Sequence, residues 1–306
     1  MQFQHLALFR RSPPLTATIL FNEIRTEGNA SSEHGRPESI GARRGRRERA
    51  LPAQESPPHE RNLPAMRMLK FLERLRRDAP SPVQHASAET REAPPSPSTA
   101  TDADGVRRVV NADVQRERRI PPGQSKAKKW PVLQYGEVPR VDTATWQLRV
   151  FGAVEREITL SWDALNALPR IRVHADMHCV TTWTVLDQHW EGVSIHDVLE
   201  LAEVRDDARF LVAWGADRVG SSERYSTNMP LVDALSPDVL LATHCNGKPL
   251  TPEHGGPIRL VVPLLYAWKS AKWVEGLELL TDDRAGFWER NGYHDHGDPW
   301  IEERMR

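Results

Sequence analysis

Ile171-Arg172-Val173-His174-Ala175-Asp176-Met177-His178-Cys179-Val180-Thr181-Thr182-Trp183 is the stretch on which the fold turns. Ile171, Val173, Ala175 and Met177 recur at every second position, the period of a half-buried strand over residues 171–178. That strand delivers His178-Cys179 to its C-terminal end, beside a connection of the kind that carries binding and catalytic groups.

Outward from there, Trp146, Leu148 and Val150 alternate in another strand over 146–151, closed by Gly152. Ser161 precedes Trp162-Asp163-Ala164-Leu165-Asn166-Ala167-Leu168, a short helix capped by the serine hydroxyl and stopped before Pro169. Ser194 and Asp197 make a capping-box pattern ahead of Val198-Leu199-Glu200-Leu201-Ala202, which predicts a second helix. The apolar run at 208–214 reads as a buried strand, and Val239 to Ala242, Ile258 to Val262 and Lys272 to Leu280 supply three more. A helix covers Pro230 to Leu235, and Asn246-Gly247 is a hairpin turn signal because both residues tolerate positive φ. Strands outnumber helices in irregular order, so the predicted class is α+β, with mixed, mostly antiparallel sheets and flanking helices.

Composition confines this domain to the later part of the chain. All 10 Trp lie at or after Trp130 and all 4 Tyr at or after Tyr135, whereas 12 of the 24 Pro fall in the first hundred residues. A Pro- and Arg-rich extension over 1–117 has too little apolar surface to offset its ordering entropy and is expected to be disordered, with the folded domain at 118–306. The net charge of −1 divides into +9 through residue 130 and −10 beyond it. The basic arm Ala42-Arg43-Arg44-Gly45-Arg46-Arg47-Glu48-Arg49 lacks interleaved aromatics and reads as a solvated extension, not a nucleic-acid tail. Arg10-Arg11 is followed by too short an apolar run for an export signal, and Met66 or Met68, opening an amphipathic basic helix to Arg77, is an alternative start. No run approaches the roughly 18 apolar residues of a spanning helix. Two cysteines, Cys179 and Cys245, give no disulfide framework, which points to a reducing cytoplasm.

Three clusters could carry chemistry, and each has a structural alternative. Cys179 reads as a small buried hydrophobe, a nucleophile or a soft-metal ligand; a Cys-His hydrolase is weakened because His178, adjacent on a strand, faces the other way. A zinc site from His178-Cys179 and His244-Cys245 lacks the C-x₂₋₄-C spacing of zinc ribbons. In the second cluster, His254-Gly255-Gly256-Pro257-Ile258-Arg259 followed by Lys269-Ser270-Ala271-Lys272-Trp273, glycines admit a ligand to the backbone, and Arg259 and Lys272 suit a phosphate. The bland alternative is a turn with solvated cations. The third is the aromatic tail from Gly286 to Arg304, whose irregular spacing reads as packing over the domain.

These motifs, with Arg119-Ile120-Pro121-Pro122-Gly123-Gln124, Trp130-Pro131-Val132-Leu133 and Cys179-Val180-Thr181-Thr182-Trp183, resemble the sulfite oxidase-like molybdopterin oxidoreductases, above all their small bacterial single-domain branch. The resemblance covers residues 118–306 and implies a molybdenum-molybdopterin cofactor with Cys179 as the metal ligand. It further implies Arg119, His254, Arg259, Ser270, Ala271 and Lys272 at the cofactor, and Tyr225 as a catalytic tyrosine. Sulfite oxidases follow the cysteine with arginines, whereas Thr182 and Trp183 stand here, so the implied oxygen-atom transfer favours a small sulfoxide or N-oxide over sulfite. A monomer served by an electron-transfer partner of unknown identity is expected. The alternative function is a cofactor-binding or interaction module of the same fold that has lost catalysis.

Overall fold

The structure, a computed structural model, describes residues 96–219 and 223–306. The basic arm, Arg10-Arg11 and the segment from Met66 to Arg77 lie outside the described residues. In chain order the elements are β1 (Ser98–Thr101), β2 (Arg107–Val110), β3 (Ser125–Lys126), β4 (Gln147–Gly152), β5 (Ile158–Ser161), α1 (Trp162–Asn166), β6 (Arg170–Cys179) and β7 (Trp183–Ser194). There follow α2 (Ile195–Ala202), β8 (Phe210–Val219), β9 (Glu223–Pro230), α3 (Leu231–Ala234), β10 (Leu240–Cys245), β11 (Lys248–Pro249), β12 (Arg259–Val261), β13 (Val274–Leu280) and α4 (Phe287–Arg290). One sheet has the order β1-β2-β6-β7-β10-β11, with β12 joined to β10 and β3 to β7; the other runs β5-β4-β13-β8-β9. Pairing is antiparallel except for β2 with β6, β3 with β7 and β4 with β13. The class is α+β, and no helix among the described residues is long and apolar enough to cross a membrane.

Local chemistry accounts for most elements. In β4, Leu148 and Val150 are fully buried while Gln147 and Arg149 are exposed, as alternation requires. The Ser161 hydroxyl accepts from the Ala164 amide at 3.2 Å and caps α1. In α2, Ile195, Val198, Leu199 and Ala202 form one buried stripe. Its expected capping box is absent: Ser194 holds the cap position without a side-chain bond, and Asp197 is paired with Arg107 of β2 at 3.2 Å instead.

Two expectations change. Ordered structure reaches upstream of Arg118, because β2 pairs with β6 and buries Val109 completely, and the Asn111 amide donates to the buried Asp238 at 2.6 Å. Few apolar residues do this, so composition hid it. The strand β7 was also concealed, since Asp187, Gln188 and His189 interrupt its apolar pattern. A register shift between Ala175 and Met177, with Asp187 at φ +57°, absorbs the mismatch. Gly192 then lets β7 close on β10, where a Cβ would lie 2.0 Å from the Leu241 carbonyl oxygen. Ile171, Val173, Ala175 and Met177 of β6 pack with Trp190, Leu240 and Val261, and Trp130 and Trp183 lean on that cluster. The end of the β6–β7 hairpin is thereby held on a close-packed platform.

Candidate active site

Cys179 and Trp183 are register partners across the hairpin, so their side chains share one face of the sheet. Between them the chain turns through Thr182 at φ +72°, whose amide donates to the Cys179 carbonyl at 3.0 Å. Burial pushes the Cys179 thiol up, opposed by the Thr181 hydroxyl 3.2 Å from Sγ and by the charge of Arg304. A thiol held this way keeps its proton at neutral pH and is a poor nucleophile; a metal ion that displaces the proton suits it better. His178 does not serve it as a base: its Nδ1 lies 3.0 Å from Thr184 Oγ1 and its Nε2 3.5 Å from Asp113 Oδ2. The zinc reading also fails. Among the described residues the donor atoms close enough to share an ion are those of His196, Asp197 and Glu200, and Cys245 Sγ instead donates to Gln188 Oε1 at 3.3 Å.

The second cluster assembles as a basic cradle. Gly255 ends the turn Pro252–His254 at φ +95°, and a Cβ there would sit 2.9 Å from Lys272 Cγ and 3.2 Å from Arg259 Cβ, so glycine lets the basic side chains close in. Arg259, 3% exposed, donates to the carbonyls of His254 and Ser270, each at 2.9 Å, and its guanidinium lies 5.4 Å from the Trp130 ring centre. Lys272, bridged to Arg259 through the backbone, donates from Nζ to the carbonyls of Leu133 at 3.0 Å and Glu253 at 2.5 Å. Neither cation forms an ion pair among the described residues. Burial brings Arg259 down to about 10, and burial with the Arg259 charge brings Lys272 down to about 7. His254 stacks on Trp130 with ring centres 3.9 Å apart, its Nδ1 near Thr251 Oγ1, while its buried Nε2 has no hydrogen-bond partner among the described residues.

A buried arginine, a half-buried lysine and an orphaned ring nitrogen therefore meet without an ion pair among the described residues, with Asp217 the acidic group felt most at Lys272. Each uncompensated ion costs several kcal/mol. An oxyanion resolves that cost, so the donor set fits the phosphate of a pterin cofactor. Ser270 and Ala271 stand behind the cradle: Ser270 Oγ accepts from the Val262 amide at 3.0 Å, and the Ala271 carbonyl accepts from Leu260 at 2.8 Å. The Ser270 amide is likewise occupied, by the Ala267 carbonyl. Trp130 of the cradle and Trp183, the register partner of Cys179, lean on the same packed cluster.

Two predicted residues are committed elsewhere. Arg119 grips Asp176 with Nε and Nη2 at 2.9 and 2.6 Å and reaches Asp187 at 2.7 Å, strapping the segment before β3 to the hairpin. Tyr225, 8% exposed, donates its hydroxyl to the Trp268 carbonyl at 2.5 Å, and burial lifts its phenol well above the ordinary value. Sequence reasoning missed Trp130 as a cradle residue; an aromatic in an otherwise polar stretch, Lys128-Lys129-Trp130, was the available signal. It also missed Arg304, which donates from Nη1 to the Val180 carbonyl at 2.6 Å, one residue past the thiol.

The description "oxidoreductase molybdopterin binding domain" matches residues 135–288. Uncharacterized oxidoreductase YuiH of Bacillus subtilis is 44% identical over 61% of this chain and 92% of its own. The putative protein-methionine-sulfoxide reductase subunit YedZ1 of Azospira oryzae is 29% identical over 52% of this chain and 58% of its own. Mitochondrial sulfite oxidase of Drosophila melanogaster is 28% identical over 51% of this chain, which spans only 31% of that relative. The chain belongs to this family of molybdopterin-binding oxidoreductases, enzymes whose cofactor is molybdenum-molybdopterin.

Proposed function

We propose that this enzyme transfers an oxygen atom, with two electrons, on a small uncharged substrate, a sulfoxide or N-oxide in preference to sulfite, with Cys179 as the protein ligand of molybdenum. The observation that carries the placement of the cofactor is the convergence of buried Arg259 and half-buried Lys272, neither in an ion pair among the described residues, with His254 Nε2, which has no hydrogen-bond partner among them. When bound, molybdenum-molybdopterin supplies the two-electron couple at which oxygen is exchanged with substrate. Arg259 and Lys272 would neutralise the phosphate, and the phosphate in turn would hold Lys272 protonated. Cys179 would give its proton to solvent on ligation. Trp183, on the same face as Cys179, offers an apolar ring and a buried Nε1–H without a partner among the described residues. That wall accepts an S–O or N–O group and disfavours a doubly charged anion, which would lose its hydration there. The name borne by the Azospira relative is consistent with a sulfoxide.

The test is elemental analysis of purified protein alongside a dye-linked assay on dimethyl sulfoxide, trimethylamine N-oxide and sulfite. Molybdenum near one atom per chain with turnover of the first two is expected. A preference for sulfite would overturn the substrate class. Cys179→Ser should leave a folded domain with no turnover, and full activity in that variant would overturn the ligand assignment.

A further inference from the structure

Apart from Trp130 and the Leu133 carbonyl, the segment from Lys126 to Tyr135 takes no part in the site described above. Its lysines, Lys126, Lys128 and Lys129, are exposed and form no ion pair or side-chain hydrogen bond among the described residues. With Trp130 they line a surface cavity of about 330 Å³ that also meets Asp187 and Gln188 of β7. The carboxylate there is already engaged, since Asp187 accepts from Arg119 at 2.7 Å and lies 3.1 Å from His174 Nε2. The same segment exposes Val132 and Tyr135, two of the four large apolar side chains left in solvent among the described residues. Beyond residue 130 the chain carries a net charge of −10, so these lysines are set against an acidic domain and give it a field that orients an approaching anion.

The segment is also fixed, and fixed near the cysteine. The Ala127 amide donates to the Thr184 carbonyl at 2.8 Å, Trp130 stacks on His254 at 3.9 Å, and Lys272 Nζ donates to the Leu133 carbonyl at 3.0 Å. Ser125, Trp183 and Cys179 are successive partners in one row of the sheet, from β3 to β7 to β6. Two ladder steps put the Ser125 and Cys179 backbones roughly 10 Å apart, and Lys126 follows Ser125 directly.

We infer that the segment 126–135 is the docking surface for a small acidic one-electron carrier protein, which exchanges electrons with the molybdenum centre beside it. The inference rests on the metal placement proposed above. Unpaired lysines beside exposed Val132 and Tyr135 have the make-up of a small, polar, reversible interface, the kind that electron-transfer partners use. In the reductive direction each docking oxidises one carrier by one electron. Two dockings and two solvent protons break the S–O bond of a sulfoxide and form two O–H bonds, leaving sulfide and water.

The experiment compares the full wild-type chain with the triple variant Lys126→Glu, Lys128→Glu, Lys129→Glu and with Lys126→Arg, Lys128→Arg, Lys129→Arg. The basic arm is common to all three and cancels. Binding of a plant-type two-iron ferredoxin and of flavodoxin, both acidic carriers, is read by surface plasmon resonance at low and high salt, with duplex DNA as a polyanion lacking a redox centre. Dimethyl sulfoxide turnover is driven either by the reduced carriers or by a small dye. At least one carrier should bind wild type, and more weakly as salt rises. The glutamate variant should bind it at least about tenfold more weakly and lose carrier-driven turnover by a similar factor, while the arginine variant matches wild type. Dye-linked turnover, molybdenum content and thermal midpoint should be unchanged throughout, because the three side chains are exposed and unpaired. Intact dye-linked turnover with no carrier binding, or with binding equal in the glutamate variant, would overturn the docking surface alone. Lysine-dependent binding of DNA but of neither carrier would overturn it too, as would a dimer of this chain that the glutamate variant dissolves. Lysine-dependent carrier binding by a wild type without dye-linked turnover would overturn the proposed oxygen transfer and leave the docking surface standing.

Discussion

Lys272, which we propose holds the cofactor's phosphate, is carried at a cost to the cofactor-free fold. An ordinary lysine titrates near 10.4, whereas burial and the neighbouring Arg259 bring this one to about 7. In the cofactor-free protein the unfolded chain therefore holds the proton more tightly than the folded one from pH 7 to about 10.4, and stability rises across that window. Lys272→Met removes the penalty, so in the cofactor-free form its midpoint should gain on wild type more at pH 6 than at pH 9, with molybdenum content reduced at least about tenfold. Thermal melts at the two pH values check the sign; an advantage that grows with pH would mean the lysine is not penalised. At this scale the sequence was informative where chemistry is local. Cys179, His254, Arg259 and Lys272 were all legible as residue types at telling positions. The commitments of Arg119 to Asp176 and of Tyr225 to Trp268 were not, because each partner lies more than forty residues away.

Among the elements, the tail is decisive. Lys269 and Glu289 are both fully buried, and Glu289 also accepts from the Trp268 Nε1–H at 2.9 Å and the Thr227 hydroxyl at 3.2 Å. Glu289→Gln leaves the buried ammonium without its carboxylate and should cost about 3–5 kcal/mol in denaturant unfolding, with much of it recovered in Glu289→Gln combined with Lys269→Met. A second fastening responds to pH. Burial opposes charge on His296, but hydrogen bonds to Asp233 of α3 at 3.0 Å and Glu303 at 2.8 Å outweigh it and lift the ring to about 10. Burial likewise opposes charge on Glu303, and His296 overrides it, holding the carboxyl near 2. The folded pKa of His296 is raised, so its contribution is complete below about 6.5 and lost as pH rises through 10; that of Glu303 is depressed, so its contribution is complete above about 4.3 and lost as pH falls through 2. Hydrogen exchange of the Asp298 and Glu303 amides should accelerate beyond its intrinsic base-catalysed trend above pH 10, and in His296→Ala that excess should already be present at pH 6. Equal protection in that variant would show that the tail is held without it.

For the molecule as a whole, the boundary of the folded unit matters most. A fragment of residues 118–306, the limit that composition suggests, loses the β2–β6 pairing, Val109 and the bond from Asn111 to Asp238. It should unfold at distinctly lower denaturant than a fragment of residues 96–306, by about 2–4 kcal/mol for one buried apolar side chain and one buried hydrogen bond to a charge. Equal stability would place β2 outside the cooperative unit.

What the sequence determined by itself was everything set within a few residues: the alternation that makes β4 and β6, the cap of α1, the Asn246-Gly247 turn, and the ligand types that family resemblance assembled into a cofactor site. Tertiary structure alone decided β7, whose polar middle is stabilised by neighbours on both sides, and the strands ahead of residue 118, which borrow their burial from β6. It also decided that Arg259 and Lys272 would converge without an ion pair among the described residues and that a tail read as packing would bring Arg304 back to the cysteine turn. Burial and electrostatic cost are sums over whatever surrounds a group in space, and those surroundings are supplied by distant parts of the chain.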